Sequence, residues 1–448
     1  MKGSGSTKPL SGMRDFLPAD ILRRRHVIRI VEQVYESYGF LPIETPAIEN
    51  LSTLLGKYGD EGEGLLYRVL HRRDKLSRAL ESDSVTQKDL SSEGLRYDLT
   101  VPLARVVAGH RGRIPRFFKR YQIQPVWRAD RPGKGRFREF FQCDLDITGT
   151  GTVLADVEVL HAASGVLQKL GFTDFRIRLN HRELLTSLIR RAGIPLELEQ
   201  SALVALDKLD KIGEQGVLDE LGKRGVSAET ASRLLDLAGK KVNAQGAGVQ
   251  IDGEELDESG TAALERIREI LEAASTGPAA DHLEVDLTLA RGLGYYTGAI
   301  FEVAVPDLAG SLGGGGRYDG LIGIFGGESV PAVGFSLGLE RLLVVMEERG
   351  MFPELSTGPD VLVCGFPDVP HSLLLKVAMS LRQEYARVEL FPEPGKKLGQ
   401  QIRYADELGA REVVIVGMDE ISRGVLQVKD LSTGEQREWT WDPDGSAS

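Results

Sequence analysis

Cationic side chains crowd into one stretch of this chain. Between Arg111 and Glu139 there are ten basic residues and two acidic ones, in a protein whose formal net charge is -11. That density against an acidic background suggests a site for an anion. The order of residues adds to the charge. FFKRYQIQPVWRA alternates as a strand does and ends on Arg128. DRPGKG then supplies the breakers Pro132, Gly133 and Gly135, and FREFFQCDLDI returns as a second strand. On the return strand Arg138, Phe140, Gln142, Asp144 and Asp146 share one parity, so they face one side. A hairpin with Arg128, Gln142 and Asp146 on one face can hold an anionic ligand together with a small polar one. A solvated basic hairpin lying on nucleic acid fits the same residues.

The elements around it follow from periodicity and punctuation. Asp20 is placed to cap a helix over about 21–38, with Val27, Ile30, Val31 and Val34 at helical spacing. FLPIETPAIEN reads as a strand whose Pro42 and Pro46 suit an edge or an interface. Residues 56–94, with GDEGEG and the run HRRDKLSRALESDSVTQKD, read as a mobile surface excursion. LRYDLTVPLARVVAG reads as a strand to about Thr100, with Asp98 and Thr100 on one face, and then a helix with Pro102 in its first turn. TVLADVEVLHAASGVLQKLGF is an amphipathic helix closed by Gly171, and FRIRLN is a strand. From 181 to 280 the chain turns rich in Leu, Ala, Glu and Lys, with no strong strand-like run, as in an inserted helical module. Strands resume in HLEVDLTLARGLGYYTGAIFEVAV, and VPAVGFSLGLERLLVVMEER passes from strand to helix with Arg341 near the junction. Beyond a linker, DVLVCGF to REVVIVG alternates strand and helix, a small α/β domain finished by a hairpin.

Bulk properties narrow the classes. With 448 residues, 42% hydrophobic and 27% charged, the chain has the make-up of a soluble protein of several domains. No run approaches a membrane span, and MKGSGSTKPLSG lacks the apolar core of a signal peptide. Cys143 and Cys364 form no CxxC, which suggests two reduced packing thiols and a cytoplasmic protein. The GGGG at 313–316 sits in no P-loop and no dinucleotide fingerprint, so close backbone approach explains it better. GFSLG at 334–338 matches G-x-S-x-G, which would make Ser336 a nucleophile with Asp360 and His371 available. No HGGG-type loop precedes it, and a hydrolase leaves the hairpin unexplained. RGLGYYTG, 291–298, offers either an aromatic wall with a cation or one core and one surface tyrosine.

Taken together these pieces resemble histidyl-tRNA synthetases, of the class II aminoacyl-tRNA synthetase fold, over nearly the whole chain. SGMRDFLP and GFLPIETPAIE resemble the opening and the dimer-forming motif 1. LRYDLTVPLAR resembles the amino-acid-binding strand, VWRADRPGKGRFREFFQCDLDI motif 2, and VGFSLGLERL motif 3, which disposes of the esterase reading. LARGLGYYTGAIFE and GGGGRYDGL resemble the two histidine-specific motifs. The resemblance implies an antiparallel-sheet catalytic core with a helical insertion and a C-terminal α/β anticodon-binding domain, an α+β and α/β multidomain protein. Its parts would be a disordered terminus at 1–12, core at 13–180, insertion at 181–280 and core again at 281–350. A linker at 351–358, the anticodon-binding domain at 359–436 and a polar tail at 437–448 would follow.

The resemblance also implies roles. Asp98, Thr100 and Gln142 would hold the α-ammonium of L-histidine, with Leu99 beside them. Asp146 and the Tyr295/Tyr296 pair would line the imidazole pocket, and Arg128, Arg291 and Tyr318 would also bind the histidine. Arg128, Arg291 and Arg341 would be catalytic, with Arg128 on the α-phosphate of ATP, Arg341 on the γ-phosphate and Arg291 across from Arg128. Asp130, Arg136 and Phe140 would complete the ATP site, with Mg²⁺ held through the ATP phosphates rather than by the protein. The expected protein is a cytoplasmic homodimer, with no membrane contact, that forms histidyl-adenylate and passes histidine to the 3′ end of tRNA(His). The alternative is a non-catalytic paralogue like the regulatory subunit of ATP phosphoribosyltransferase. The family usually has Asp where this chain has Gly294.

Overall fold

A computed structural model describes residues 6–57, 59–82, 84–240, 242–243, 250–251, 256–290 and 294–442. The chain forms two units, 1–15 with 24–351, and 16–23 with 352–448. Through the first unit run the strands β1 (Leu41–Pro42), β2 (Ile48–Asn50), β3 (Arg68–Val69), β4 (Glu93–Leu95), β5 (Phe118–Trp127) and β6 (Glu139–Thr148). They continue as β7 (Arg176–His181), β8 (Val242–Asn243), β9 (Gln250–Ile251), β10 (Leu283–Val285), β11 (Ala299–Ala304), β12 (Gly313–Arg317) and β13 (Ala332–Gly338).

Eight of these strands make one sheet in the order β1-β5-β6-β13-β12-β11-β7-β10. All its pairings are antiparallel except β1 with β5 and β10 with β7, at the two edges. Pro42 does sit on an edge strand, where its missing N–H costs no ladder bond. The hairpin is as the sequence implies: β5 and β6 pair from Phe118↔Thr148 to Trp127↔Glu139. One face of β6 is apolar. Cys143, Leu145 and Ile147 are buried there, opposite the face of Gln142, Asp144 and Asp146. Tyr35, from the helix Pro18–Ser37, donates its hydroxyl to the Cys143 carbonyl on that apolar side. The helix Val153–Lys169 buries ten residues and ends at Gly171, whose φ is +93°.

Several sequence expectations need correction. The helix at the start is Pro18–Ser37, and Asp20 lies inside its first turn, where it accepts from Leu17 N–H at 3.2 Å. FLPIETPAIEN is not one strand: β1 joins the large sheet, and β2 joins a three-stranded sheet in the order β2-β4-β3. Residues 56–94 are therefore anchored at both ends by strand pairing, with short helices at Asp74–Leu80 and Gln87–Leu90. Strand β4 stops at Leu95, so Asp98 and Thr100 share no strand face; Thr100 opens the helix Thr100–Gly109. The mostly helical stretch 181–280 contains one small ladder, β8 with β9. Tyr295, in a turn, and Tyr296, just after it, precede β11 and lie on no strand. Ser11 and Gly12 are held: Arg138 donates to the Gly12 carbonyl from its backbone at 2.8 Å and to the Ser11 carbonyl from its side chain at 3.2 Å.

The second unit has its own sheet, ordered β15-β14-β16-β17-β18, of β14 (Val361–Gly365), β15 (Val388–Leu390), β16 (Glu412–Val416), β17 (Val425–Asp430) and β18 (Gln436–Thr440). Its first three strands are parallel, and the closing hairpin β17–β18 is antiparallel. Val361, Val363, Val414 and Val416 pack against Leu374, Val377 and Leu381 of the helix His371–Glu384.

Candidate active site

The site grows from the polar face of the hairpin. Ladder register sets Arg120 opposite Asp146, Gln122 opposite Asp144 and Gln124 opposite Gln142. Arg120 is completely buried, and its Nη2 lies 2.6 Å from Asp146 Oδ2 and 3.9 Å from Asp144 Oδ2. The contact with Asp146 is coulombic, since neither Arg120 Nε nor Asp146 Oδ2 has an aligned hydrogen-bond partner. Tyr318 donates its hydroxyl to Asp146 Oδ1 at 2.5 Å. Gln142 donates from Nε2 to Ser336 Oγ at 2.7 Å, and its buried Oε1 has no partner. Ser336 is thus a hydrogen-bond acceptor on β13 and not an elbow nucleophile.

Asp98 enters from the turn before the helix Thr100–Gly109. Its Oδ1 accepts from Val101 N–H at 3.1 Å and its Oδ2 from the Tyr295 hydroxyl at 3.3 Å. Leu99 is in the core, and its carbonyl accepts from Arg120 Nη2 at 3.4 Å. Tyr295 meets Tyr296 edge-on at 5.0 Å between ring centroids, and Tyr318 at 6.1 Å. Two carboxylates, Asp144 and Asp146, therefore share one fully buried guanidinium, with the Asp98 carboxylate near enough to repel both. Burial is the main force on Asp144, whose carboxyl is pushed up to about 7 against the opposing pull of Arg120. Burial raises Asp146 too, with Arg120 and the Tyr318 hydroxyl opposing, and holds the Tyr318 phenol well above its usual range.

Glycines make the room. A Cβ on Gly334, which pairs with Asp146, would lie 1.9 Å from Asp146 Oδ1. One on Gly316 would come within 3.0 Å of the Tyr296 ring and 2.6 Å of the Ala299 carbonyl. The glycine run on β12 is thus a matter of close approach, as expected.

Cations line the open end of the hairpin. Arg128 donates from Nε to the Tyr97 carbonyl at 3.0 Å, with its guanidinium 4.3 Å from the Tyr97 ring centroid and 5.1 Å from that of Phe140. Between the strands, Gly133 and Arg136 exchange backbone hydrogen bonds at 3.0 and 2.9 Å, which leaves the Arg136 side chain exposed. Arg138 Nε donates to the Asp130 carbonyl at 3.1 Å and closes that loop. Arg341, in the first turn of the helix Leu339–Glu348, donates to the Ser311 carbonyl. A Cβ on Gly135 would lie 3.4 Å from Arg341 Cγ, so the loop tip and Arg341 are neighbours. Glu340 fixes that helix start: it accepts from Phe141 N–H at 2.9 Å and from Arg24 Nη1 at 2.8 Å.

The structure brings Asp98, Asp146, Tyr295, Tyr296 and Tyr318 together, with Gln142 on the same face of β6 as Asp146, and sets Arg341 beside the hairpin's loop tip. Arg291 lies outside the described residues. Sequence reasoning missed Arg120, the counter-ion of the pocket, and Glu340. Arg120 has the same strand parity as Arg128, and that parity together with the register was the available signal. Among the described residues no three His, Cys, Asp or Glu side chains are grouped to hold a metal ion by themselves.

A mainly antiparallel sheet with this hairpin, together with a separate α/β unit, is the arrangement of an aminoacyl-tRNA ligase. A family model described as histidyl-tRNA synthetase matches residues 12–342, and one described as an anticodon binding domain matches residues 361–442. A histidine–tRNA ligase of Christiangramia forsetii is 42% identical over 443 residues, 95% of each chain. The crystal structure of histidyl-tRNA synthetase from Nostoc sp. PCC 7120 is 30% identical, with a TM-score of 0.75 over 98% of this chain and 97% of that one. An ATP phosphoribosyltransferase regulatory subunit/histidyl-tRNA synthetase from Bacillus halodurans C has a TM-score of 0.72 at 22% identity, over 93% of this chain and 100% of that one, a likeness of fold alone. The chain belongs to the histidyl-tRNA synthetase family.

Proposed function

We propose that the protein is a histidine–tRNA ligase: it joins L-histidine to ATP as histidyl-adenylate, releases pyrophosphate, and passes the histidyl group to the 3′ end of tRNA(His). The observation that carries the assignment of the pocket is the buried Gln142 Oε1, an acceptor with no donor, beside an Asp146 carboxylate whose Oδ2 has only the ion pair to Arg120. Buried acceptors left open cost free energy unless a ligand supplies donors. Histidine has them in its α-ammonium and its imidazole N–H. Gln142 and Asp98, with Thr100 beside them, would take the ammonium. Asp146 and the Tyr295, Tyr296 and Tyr318 rings would read the imidazole. The excess of carboxylates over guanidinium suits a cation.

Activation brings the histidine carboxylate against the α-phosphate of ATP, two anions that repel. A carboxylate oxygen bonds to the α-phosphorus as the bond from that phosphorus to the pyrophosphate oxygen breaks, and negative charge spreads over the phosphoryl oxygens. Arg128 would meet that charge from between the Tyr97 and Phe140 rings, which hold its plane. Arg341, with Arg136 and Asp130 on the facing loop, would serve the distal phosphates. Mg²⁺ arriving on the triphosphate would neutralise part of its charge, because it favours phosphate oxygens and water.

The second unit, with the sheet β14 to β18, would bind the anticodon of the tRNA. That family match argues against the regulatory paralogue, whose likeness to this chain is one of fold. We also infer a homodimer in the cytoplasm. The short edge strand β1 supports the dimer, together with a cleft of about 340 Å³ beside it whose lining includes the exposed Leu41, Phe117 and Leu154. Histidine-dependent ATP–pyrophosphate exchange with Mg²⁺ tests the activity. Exchange with histidine and with no other amino acid is expected, and none above background would refute the enzyme. Phe117→Glu should shift the sedimenting species to half its mass; an unchanged mass would remove that surface from the interface.

A further inference from the structure

The inserted stretch meets the catalytic sheet around one buried carboxylate. Asp156, in the helix Val153–Lys169, is completely buried. Arg317, the last residue of β12, donates to it from Nε and Nη2 at 2.9–3.1 Å. Arg266, on the helix Glu258–Ala273 of the inserted stretch, donates from Nη2 to the same carboxylate at 2.8 Å and to the Gly151 carbonyl at 2.6 Å. Two guanidiniums from separate parts of the chain thus share one acceptor.

Arg317 in turn holds both tyrosine-bearing segments of the pocket. Tyr318 follows it directly, and its backbone N–H reaches the Ala332 carbonyl at 2.8 Å. Thr297, next after Tyr295 and Tyr296, donates its N–H to the Arg317 carbonyl at 2.8 Å, and its hydroxyl accepts from Asp319 N–H at 3.1 Å. Arg317 Nη1 also reaches Asp319 Oδ1 at 3.2 Å. Gly298 packs against the Arg317 side chain, where a Cβ would lie 3.0 Å from Cδ. The inserted stretch touches the same place at its entry, since Arg182 N–H reaches the Gly298 carbonyl at 2.8 Å.

We infer that Arg266 is a positioning residue for the amino-acid pocket: from the inserted helix it holds Asp156 and Arg317 in register, and so fixes where the Tyr318 hydroxyl meets Asp146. This rests on the assignment of Tyr318 and Asp146 to the histidine side chain. Both bonds leave one nitrogen, Nη2, whose two N–H groups are fixed in the guanidinium plane; an ammonium can donate twice but without that fixed plane. Without Arg266 the Arg317 side chain keeps its bonds to both Asp156 oxygens, but Oδ2 loses its second donor and the buried carboxylate one of its two counter-charges, so the pair can shift together.

The test uses the full-length protein and pyrophosphate exchange, with histidine and ATP varied separately. Arg266→Ala is expected to raise KM for histidine by about 2- to 30-fold, the range for residues that couple sites through a network, and to leave KM for ATP unchanged. Arg266→Lys, which keeps the charge and the fold, should show a smaller rise in the same direction. Positioning also predicts non-additivity: in a Tyr318→Phe background, Arg266→Ala should add little to the histidine KM. An unchanged histidine KM in both variants would overturn the inference. So would a parallel loss in both KM values and the thermal midpoint, or full additivity with Tyr318→Phe. Absence of exchange in the parent protein would instead overturn the functional assignment.

Discussion

Gly334→Ala probes the pocket most directly. The added methyl would sit 1.9 Å from Asp146 Oδ1, 2.5 Å from its Cγ and 3.0 Å from the Leu145 carbonyl. Asp146 cannot step aside cheaply. It is buried, its Oδ1 accepts from Tyr318, and its Oδ2 lies 2.6 Å from Arg120. The methyl therefore forces either the strand β13 or the carboxylate to move. Overpacking of this kind costs about 1–3 kcal/mol of stability. Displacing Asp146 removes a hydrogen bond to a charged group, worth about 1.5–3 kcal/mol. If the imidazole relies on that carboxylate, the histidine KM rises roughly 10- to 150-fold, at about 1.4 kcal/mol per tenfold. KM for ATP should change little, because Arg128 and Arg341 lie at the open end of the hairpin. Gly320→Ala is the control, since a Cβ there meets nothing within 4 Å. Exchange kinetics and thermal midpoints on both variants decide the matter. A Gly334→Ala protein with the parent's histidine KM and midpoint would show that Asp146 is not pinned as described, and the pocket assignment would fall with it.

Other expectations follow from single features. The Asp144 carboxyl stands at about 7 in the folded protein against an ordinary value of 3.8, so the folded state binds an extra proton between those pH values. The stability it lends is fully present below about 4 and lost as pH rises through about 7; Asp144→Asn should flatten that part of the midpoint-against-pH curve, and an identical slope would refute it. Gly294→Asp should leave exchange within about twofold of the parent or above it, as expected at an unconstrained position. A Cβ at Gly294 meets nothing within 4 Å, so a collapse in rate and midpoint would contradict this local geometry. Arg341→Ala should lower the exchange rate about a hundredfold or more, the scale of one lost transition-state contact, with little change in histidine binding. Equal losses in both would make Arg341 a structural residue. Replacing Lys396, Lys397 and Arg403 together by Ala should weaken tRNA binding and lessen its dependence on salt while exchange persists. Unchanged charging would remove those side chains from the tRNA surface.

What the sequence determined by itself was whatever depends on neighbours along the chain. Strand parity put Gln142, Asp144 and Asp146 on one face, because successive side chains alternate whatever the strand pairs with. Proline placed Leu41–Pro42 at an edge, because an edge forgives a missing N–H. Helical spacing delivered Val153–Lys169 and its glycine stop. Local rules failed where a short polar run could go either way: Asp98 lies in a turn, and 56–94 is pinned by a three-stranded sheet that no periodicity announces. Tertiary structure alone decided the chemistry of the pocket. Arg120 became the counter-ion of Asp146 through the hairpin register, and the Tyr318 hydroxyl reached Asp146 across 172 residues through the order of the strands between them. The rise of the Asp144 carboxyl comes from burial that the whole sheet and its covering elements create. Distances across a sheet depend on which strands lie side by side, and desolvation depends on everything that excludes water; neither is a property of sequence neighbours.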